Sequence, residues 1–361
     1  MSDVQSPTTV GIVGARGLVG TEAMNILHEH AWPSTAVRVF GSERSGGQRI
    51  AYDNAWLTIE PLERIRQNPP SYVLLCADAD TAREVTQKLL PAGAQTVVID
   101  NSSAFRLDPG VPLVIPEINA ELLAVCHRLI ANPNCSTIML LTAINPLRTR
   151  FGLRSIQVCT YQAVSGAGRA GLESLREQTR AAVLDEPMPA GVFPVPCAFD
   201  VFEHESPTDP VSGFNAEESK IIAESRRIWN APTLSILPTC VRVPVQRSHA
   251  QAVTLELGQA ATVDEIRSEL ARAPGVSLAA PGTALTPASI AGSDNVHIGR
   301  IRIDPDYPRR VLLWICCDQI RKGAALNAVQ IMHRIIDNRA QSSPSPRSTS
   351  IISAPGYATW S

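Results

Sequence analysis

The stretch TTVGIVGARGLVGTEAMNILHEH, residues 8–30, constrains the fold more than any other part of the chain. A short apolar run leads into glycines 11, 14, 17 and 20, and apolar residues then recur at helical spacing through Leu27. This reads as strand, glycine turn and helix. Such a turn lets backbone N–H groups and the helix start approach a pyrophosphate. Strand-like runs follow at AVRVF (36–40), SYVLLCA (71–77), TVVID (96–100) and PLVIP (112–116), separated by helix-like or loop segments such as TAREVTQKLLPAG. Alternation of this kind predicts an α/β fold with a doubly wound, Rossmann-type parallel sheet.

After about residue 150 the pattern changes. SIQVCTYQAVSG, TCVRVPV, AQAVTLELG and RRVLLWICCD are longer strand-like runs, some alternating, which suit a mixed or antiparallel sheet in an α+β domain. Thr262 to Glu265 is a capping box, and KGAALNAVQIMHRIID is amphipathic and helical. The expected division is a cofactor-binding domain over 1–133, completed by a C-terminal helix over 320–339. A catalytic and dimerisation domain spans 134–319, and a Ser/Pro-rich tail without a core of its own spans 340–361. A chain of 361 residues is long enough for two cores.

Charge narrows the function. Lys plus Arg (32) nearly balances Asp plus Glu (34), which leaves no basic field for nucleic acid and no attraction to anionic membranes, so a small-molecule ligand is expected. No apolar run reaches the ~18 residues of a membrane span, and MSDVQSPTTVGIVG lacks the features of a signal peptide, so a cytoplasmic location is expected. The 8 cysteines form no CxxC pair and no zinc-ligand spacing; free thiols and no metal are expected. Cys76, Cys159, Cys240, Cys316 and Cys317 lie in or beside strand-like runs and read as small buried hydrophobes. Cys135 differs, standing in LIANPNCSTIML between polar residues at the seam of two apolar runs, where a turn at a helix start would make it a nucleophile.

About 20 residues beyond the glycine turn, where an NAD-specific fold places an acid for the ribose hydroxyls, the chain reads FGSERSGG (40–47). Ser42, Arg44 and Ser45 offer donors and positive charge instead, which predicts a ribose 2′-phosphate and hence NADP.

GIVGARGLVG, DNSSAFR (100–106), PEIN (116–119), NPNCST (132–137), YQAVSGAG (161–168), CVRVPV (240–245) with His249, and KGAALNAVQI (322–331) together resemble the aspartate-semialdehyde dehydrogenase family, in order from about residue 8 to 335. The resemblance implies NADPH-dependent, reversible reductive dephosphorylation of L-aspartyl 4-phosphate to L-aspartate 4-semialdehyde, in biosynthesis of lysine, threonine and methionine. By matched position Cys135 is the nucleophile that carries a thioacyl group, His249 the acid and base, and Gln162 the residue that orients the substrate at the thiol. A helix start and a partner base are expected to raise the thiolate fraction of Cys135. Arg106 and Lys220 would hold phosphate, Arg242 the α-carboxylate in a bidentate pair, and Glu217 the ammonium. Glu217 and Lys220, three apart, would share one helix face. Backbone amides of Asn134 and Cys135 are candidates to stabilise the oxyanion. Gly11, Gly14, Ala15, Arg16, Gly17, Leu18 and Val19 at the turn, with Ser165, Gly166 and Gln319, are the implied cofactor contacts, and a homodimer or homotetramer is the implied assembly.

Three places depart from the family. Arg16 replaces the threonine of a GATG turn; Cys76, Ala77 and Asp78 replace a glycine pair after the third strand, bringing bulk and negative charge towards the cofactor. In CAFDVFEHES (197–206) Asp200 replaces an asparagine, so dimer or cofactor contacts there are expected to differ. Two alternatives stand beside the main reading: an acyl-phosphate reductase recruited to a neighbouring substrate, and a non-catalytic homologue.

Overall fold

The structure, a computed structural model, describes residues 8–90, 95–124 and 127–342. β1 (Val10–Val13) enters the glycine turn and α1 (Leu18–Glu29) leaves it. Gly14 has φ +82, and a Cβ there would lie 2.5 Å from the Cys76 carbonyl oxygen, so only glycine fits. Next come β2 (Val37–Gly41), a hairpin of β3 (Arg49–Tyr52) and β4 (Ala55–Pro61), β5 (Tyr72–Leu75), α2 (Ala79–Leu89), β6 (Val97–Asp100), α3 (Pro116–Asn119) and β7 (Leu129–Ala131). The sheet order is β3-β4-β2-β1-β5-β6-β7, parallel throughout except between β3 and β4. The order reverses beside β1, which puts the glycine turn at the switch point where α/β sheets bind ligands.

The expected strand PLVIP does not form. Only Leu113 bridges, to Ala131, and the edge strand is the short β7 instead. Pro112 lacks a donor N–H, and Pro116 opens α3 rather than continuing a strand.

α4 (Cys135–Phe151) then leads to β8 (Leu153–Ala163), α5 (Gly168–Val183), β9 (Phe202–Glu203), α6 (Ala216–Ile228), β10 (Ser235–Val243) and β11 (His249–Leu257). α7 (Val263–Ala271), β12 (Val276–Leu278), α8 (Pro287–Ile290), β13 (Val296–Ile303), β14 (Arg310–Cys317) and α9 (Leu326–Ser342) follow. This second sheet runs β12-β13-β14-β11-β8-β10-β9 and is mixed: β8 with β10 and β12 with β13 are parallel, the other pairs antiparallel. Its core buries Ile138, Met139 and Leu141 of α4 together with Val158, Val253 and Ile315 of the sheet.

A single π-turn, Arg321–Ala325, carries the chain from β14 back to the first domain. There α9 buries Val329, Ile331, Met332 and Ile335 among Ile12, Ile26 and Val97. The helix reaches Ser342, so it takes 340–342 from the expected tail; residues 343–361 lie outside the described residues. The capping box at Thr262 and Glu265 is present, with reciprocal bonds at 3.2 and 2.7 Å. No described helix is long and apolar enough to cross a membrane.

Candidate active site

Asn134 caps α4. Its Oδ1 accepts the N–H groups of Ser136 (2.9 Å) and Thr137 (3.3 Å), which makes Cys135 the first helical residue. The rest of Asn134 is already engaged: its Nδ2 donates to Glu217 Oε1 at 2.8 Å and its backbone N–H to Glu224 Oε2 at 2.6 Å. That corrects one expectation, because the Asn134 amide is not free to meet an oxyanion. The Cys135 N–H has no acceptor of this kind among the described residues. Behind the thiol runs the π-turn, where a Cβ on Gly323 would come within 3.0 Å of the Cys135 Cβ.

The helix start does not make Cys135 a resting thiolate. Burial, reinforced by the Glu217 carboxylate, pushes the thiol up to about 11, and Arg106 offsets this only in part. The helix start by itself therefore does not favour the thiolate as expected. Desolvation outweighs the field of one helix terminus here.

The second sheet aligns the remaining groups. Gln162 on β8 pairs in register with Arg242 on β10, and His249 opens β11 on the other side of β8. Gln162 Nε2 reaches Ser136 Oγ (3.1 Å) and Glu217 Oε1 (3.3 Å). His249 is buried; its Nδ1 accepts the Ala163 N–H at 3.0 Å, so the neutral ring carries its proton on Nε2, which has no partner among the described residues. Burial, with the Arg242 charge second, pushes the imidazole down to about 3 and keeps it neutral. Gly166 lies over this pair: a Cβ there would meet Arg242 Nη1 at 2.9 Å and His249 Nε2 at 3.6 Å.

Arg242 is 1% exposed and already gripped. Its Nη2 and Nε donate to Glu205 at 2.6 and 3.2 Å, its Nη1 to the Ala163 carbonyl at 2.9 Å, and His204 Nε2 lies 3.0 Å from Nη2. Arg106 is likewise occupied, by the carbonyls of Asn132 and Asn101 and by Glu224 Oε1 at 3.0 Å. Glu217 and Lys220 do share a face of α6 and pair at 3.2 Å. Burial works against the Glu217 charge, but Lys220, His204 and Asn134 outweigh it and hold the carboxyl down at about 2. Sequence reasoning missed Glu224, His204 and Glu205, each an ion or hydrogen-bond partner of a residue it did find.

On the cofactor side, Gly14, Ala15, Arg16, Gly17, Ser42, Arg44 and Ser45 line one cleft of about 420 Å³. Gly11 does not; it sits in β1, where a Cβ would strike Pro70 and Phe40, so its smallness serves sheet packing. Leu18 and Val19 open α1, with Val19 against the core. Asp78 caps α2, accepting from the N–H groups of Asp80 and Thr81, and so its charge is spent on a helix start. Asp200 is exposed and accepts the Val201 N–H at 2.8 Å. Gln319 joins the two halves: its Nε2 donates to Ser165 Oγ at 2.6 Å and its Oε1 accepts the Ser248 N–H at 2.7 Å. Ser248 itself is held at φ +75, a strained setting immediately before His249. Arg247 fixes that loop from the other side, bridging Asp318 (2.6 Å) and Glu22 of α1 (2.9 Å). Among the described residues no cluster of His, Cys, Asp and Glu could hold a metal ion.

A glycine-turn nucleotide fold beside a half-buried cysteine and a buried histidine and arginine defines a dehydrogenase that works on an acyl or aldehyde carbon, and comparison with known proteins agrees. Residues 9–125 match the family model "Semialdehyde dehydrogenase, NAD binding domain" and residues 144–322 match "Semialdehyde dehydrogenase, dimerisation domain". The aspartate-semialdehyde dehydrogenase of Synechocystis is 40% identical over 336 residues, covering 92% of this chain and 98% of that protein. That of Bacillus subtilis is 35% identical over 333 residues, covering 89% and 95%. Among solved structures, aspartate semialdehyde dehydrogenase II of Vibrio cholerae, complexed with ASA, superposes with a TM-score of 0.88 at 34% identity, over 92% of this chain and 99% of that one. The chain belongs to the aspartate-semialdehyde dehydrogenase family, a family of oxidoreductases with an NAD(P)-binding Rossmann domain.

Proposed function

We propose that the protein reduces L-aspartyl 4-phosphate to L-aspartate 4-semialdehyde and phosphate, reversibly, in the cytoplasm and in the biosynthesis of lysine, threonine and methionine. The observation that carries this is the single hydrogen-bonded cluster of Asn134, Gln162, Glu217 and Lys220 at the capped start of α4, with Arg242 and His249 on the neighbouring strands. The relative from Vibrio cholerae, solved with ASA, supports the substrate.

The residues at the glycine turn fit NADP. Ser42, Arg44 and Ser45 line the cleft beside the turn and supply donors and charge, with no acid among the cleft residues. NADPH supplies hydride to the acyl carbon when bound. Ser165, Gly166 and Gln319 hold its nicotinamide end.

Cys135 attacks the acyl carbonyl carbon; an S–C bond forms, the C–O bond to phosphate breaks, and the thiol proton passes to the departing phosphate, which leaves as hydrogen phosphate towards Arg106 and Lys220. Glu217 pairs with the substrate ammonium, and Gln162 orients the carbonyl. The α-carboxylate takes the place of Glu205 on Arg242, one carboxylate for another, so the buried guanidinium is never left alone. His249 presents Nε2–H to the carbonyl oxygen and stabilises the charge that develops there; as the aldehyde forms, the oxyanion collapses, the C–S bond breaks and the proton is taken up by the departing sulfur. The cysteines at described positions are free thiols, in keeping with a reducing compartment. A homodimer or homotetramer is the proposed assembly. The matching dimerisation-domain description supports it, as do the exposed Val183, Phe199 and Val201.

The test is to follow NADPH formation from L-aspartate semialdehyde plus phosphate, against other semialdehydes and against NAD. The expected result is a clear preference for the aspartate semialdehyde with NADP. A faster reaction with another semialdehyde would make the protein a reductase of a neighbouring acyl phosphate, and no turnover with any would make it a non-catalytic homologue.

A further inference from the structure

Several of the buried or partly buried guanidiniums of this protein sit on a carboxylate: Arg106 on Glu224, Arg242 on Glu205, Arg247 on Asp318 and Arg321 on Glu22. The three arginines lining the glycine-turn cleft do not. Arg16, Arg44 and Arg169 make no ion pair among the described residues, and none of the cleft residues is an acid. Three cations that converge on one cavity without a counter-ion define a site for a polyanion.

Arg169 is the unexpected member. It lies in the first turn of α5, in the second domain, yet its Nε donates to the Arg16 carbonyl at 2.8 Å and its Nη2 to Thr21 Oγ1 at 3.2 Å. Both acceptors belong to the glycine turn and to the first turn of α1. The remaining nitrogen, Nη1, has no acceptor among the described residues. The guanidinium is thus fixed by one edge against the turn, and its other edge faces the cleft where the turn amides meet phosphate.

We propose that Arg169 is a cofactor-binding residue: it holds the pyrophosphate of the nicotinamide dinucleotide from the catalytic domain, so the cofactor is gripped by both domains at once. The inference rests on the reading of the cleft as an NADP site and adds a division of labour within it. Arg44, beside Ser42 and Ser45, serves the 2′-phosphate that only NADP carries. Arg169, against the turn, serves the pyrophosphate that NADP and NAD share.

Cofactor dissociation constants measured by fluorescence titration with NADPH and NADH, on the full chain and on Arg169→Ala, Arg169→Gln and Arg44→Ala, separate the two roles. Arg169→Ala should weaken both cofactors tenfold to hundredfold, whereas Arg44→Ala should weaken NADPH alone. Glutamine can keep a neutral bond to the Arg16 carbonyl but lacks the charge, so Arg169→Gln should behave like the alanine variant. Unchanged constants in Arg169→Ala, or full recovery by glutamine, overturn the proposal and leave Arg169 as a strut between domains, which would show only as a lower melting temperature without cofactor. If Arg169→Ala weakens both cofactors while Arg44→Ala weakens neither, Arg169 stands and the NADP reading fails. If Arg44→Ala alone has an effect, the reverse holds.

Discussion

Around Cys135 each cation proposed to meet the substrate already holds a carboxylate: Arg242 has Glu205, Arg106 has Glu224, and Lys220 has Glu217. At the glycine turn Arg16, Arg44 and Arg169 hold none among the described residues. The two regions bind anions under different dielectric conditions. Arg242 is 1% exposed, and an unpaired charge at that depth would cost several kcal/mol, so the protein neutralises it before any ligand arrives. The cleft arginines face water, which hydrates them at little cost, and they can wait unpaired. Binding in the cleft is therefore addition of an anion. On the proposed reading, binding at Arg242 is exchange of one carboxylate for another, which favours ligands that match the displaced group in shape and charge.

The sharpest blow to the pocket is Cys135→Ser. Turnover should fall on the order of 10³-fold or more, as when other catalytic nucleophiles are removed, while NADPH binding in the cleft persists. Wild-type-like rates would remove the nucleophile. In the wild-type protein without ligand, the alkylation rate at Cys135 should keep climbing past pH 9, because burial holds the thiol up at about 11; a plateau near pH 8 would mean an accessible thiolate.

Arg242→Lys tests the exchange itself. Lysine cannot grip two oxygens of either Glu205 or a substrate carboxylate, so KM should rise, and misplacement of the carbonyl by about 1 Å could take 100-fold from kcat. A variant with a lower melting temperature but normal KM and kcat at low temperature would show that the Glu205 pair is purely structural. At the cleft, Arg44→Ala should cost NADP binding about 1.5–3 kcal/mol and leave NAD binding nearly unchanged, since the arginine has no protein partner to lose. Equal losses for both cofactors would collapse the contrast between 2′-phosphate and pyrophosphate contacts.

The smallest effect is on stability against pH. His249 is held at about 3 in the fold against an ordinary value of 6.5. Between those values the unfolded chain binds a proton that the folded chain refuses, so stability is complete above 6.5 and falls as pH drops below it. The slope is at most about 1.4 kcal/mol per pH unit from this residue. Glu217, lowered from 4.5 to about 2, adds its loss only below 4.5. Urea unfolding between pH 5 and 6.5 should therefore be shallower in His249→Asn than in wild type. His204, also lowered by burial, retains its own share in the variant. An unchanged slope would mean that His249 is not held neutral by burial.

Local signals carried most of the fold and half of the pocket. The glycine turn, the NPNCST helix start, the capping box at Thr262 and the shared face of Glu217 and Lys220 all depend on residues a few positions apart, and each formed. What could not be read depends on partners far apart in sequence. Glu224 meets Arg106 across 118 positions and Glu205 meets Arg242 across 37, and nothing local marks either acid as a partner. His204 and Glu205 fall in CAFDVFEHES, one of the three places where a departure from the family is expected. Burial was the other blind spot. A helix start argued for a thiolate at Cys135, and only the packed structure shows that desolvation wins. PLVIP had the apolar content of a strand, but its prolines gave the edge to β7.

The π-turn at Arg321–Ala325 bears on how the enzyme is made. It presses Gly323 against Cys135, buries Lys322 on Glu117 at 2.8 Å, and hands the chain to α9, which fills the core of the cofactor domain. A growing chain emerges from its amino end, so the nucleophile and the glycine turn leave the ribosome long before these parts do. The core of the cofactor domain cannot close until this late segment arrives, and the thiol acquires its rear wall and the cofactor sheet its last helix within a few residues of one another. Chain order thus couples the completion of the cofactor domain to that of the thiol's surroundings, and a chain terminated before this segment lacks both together.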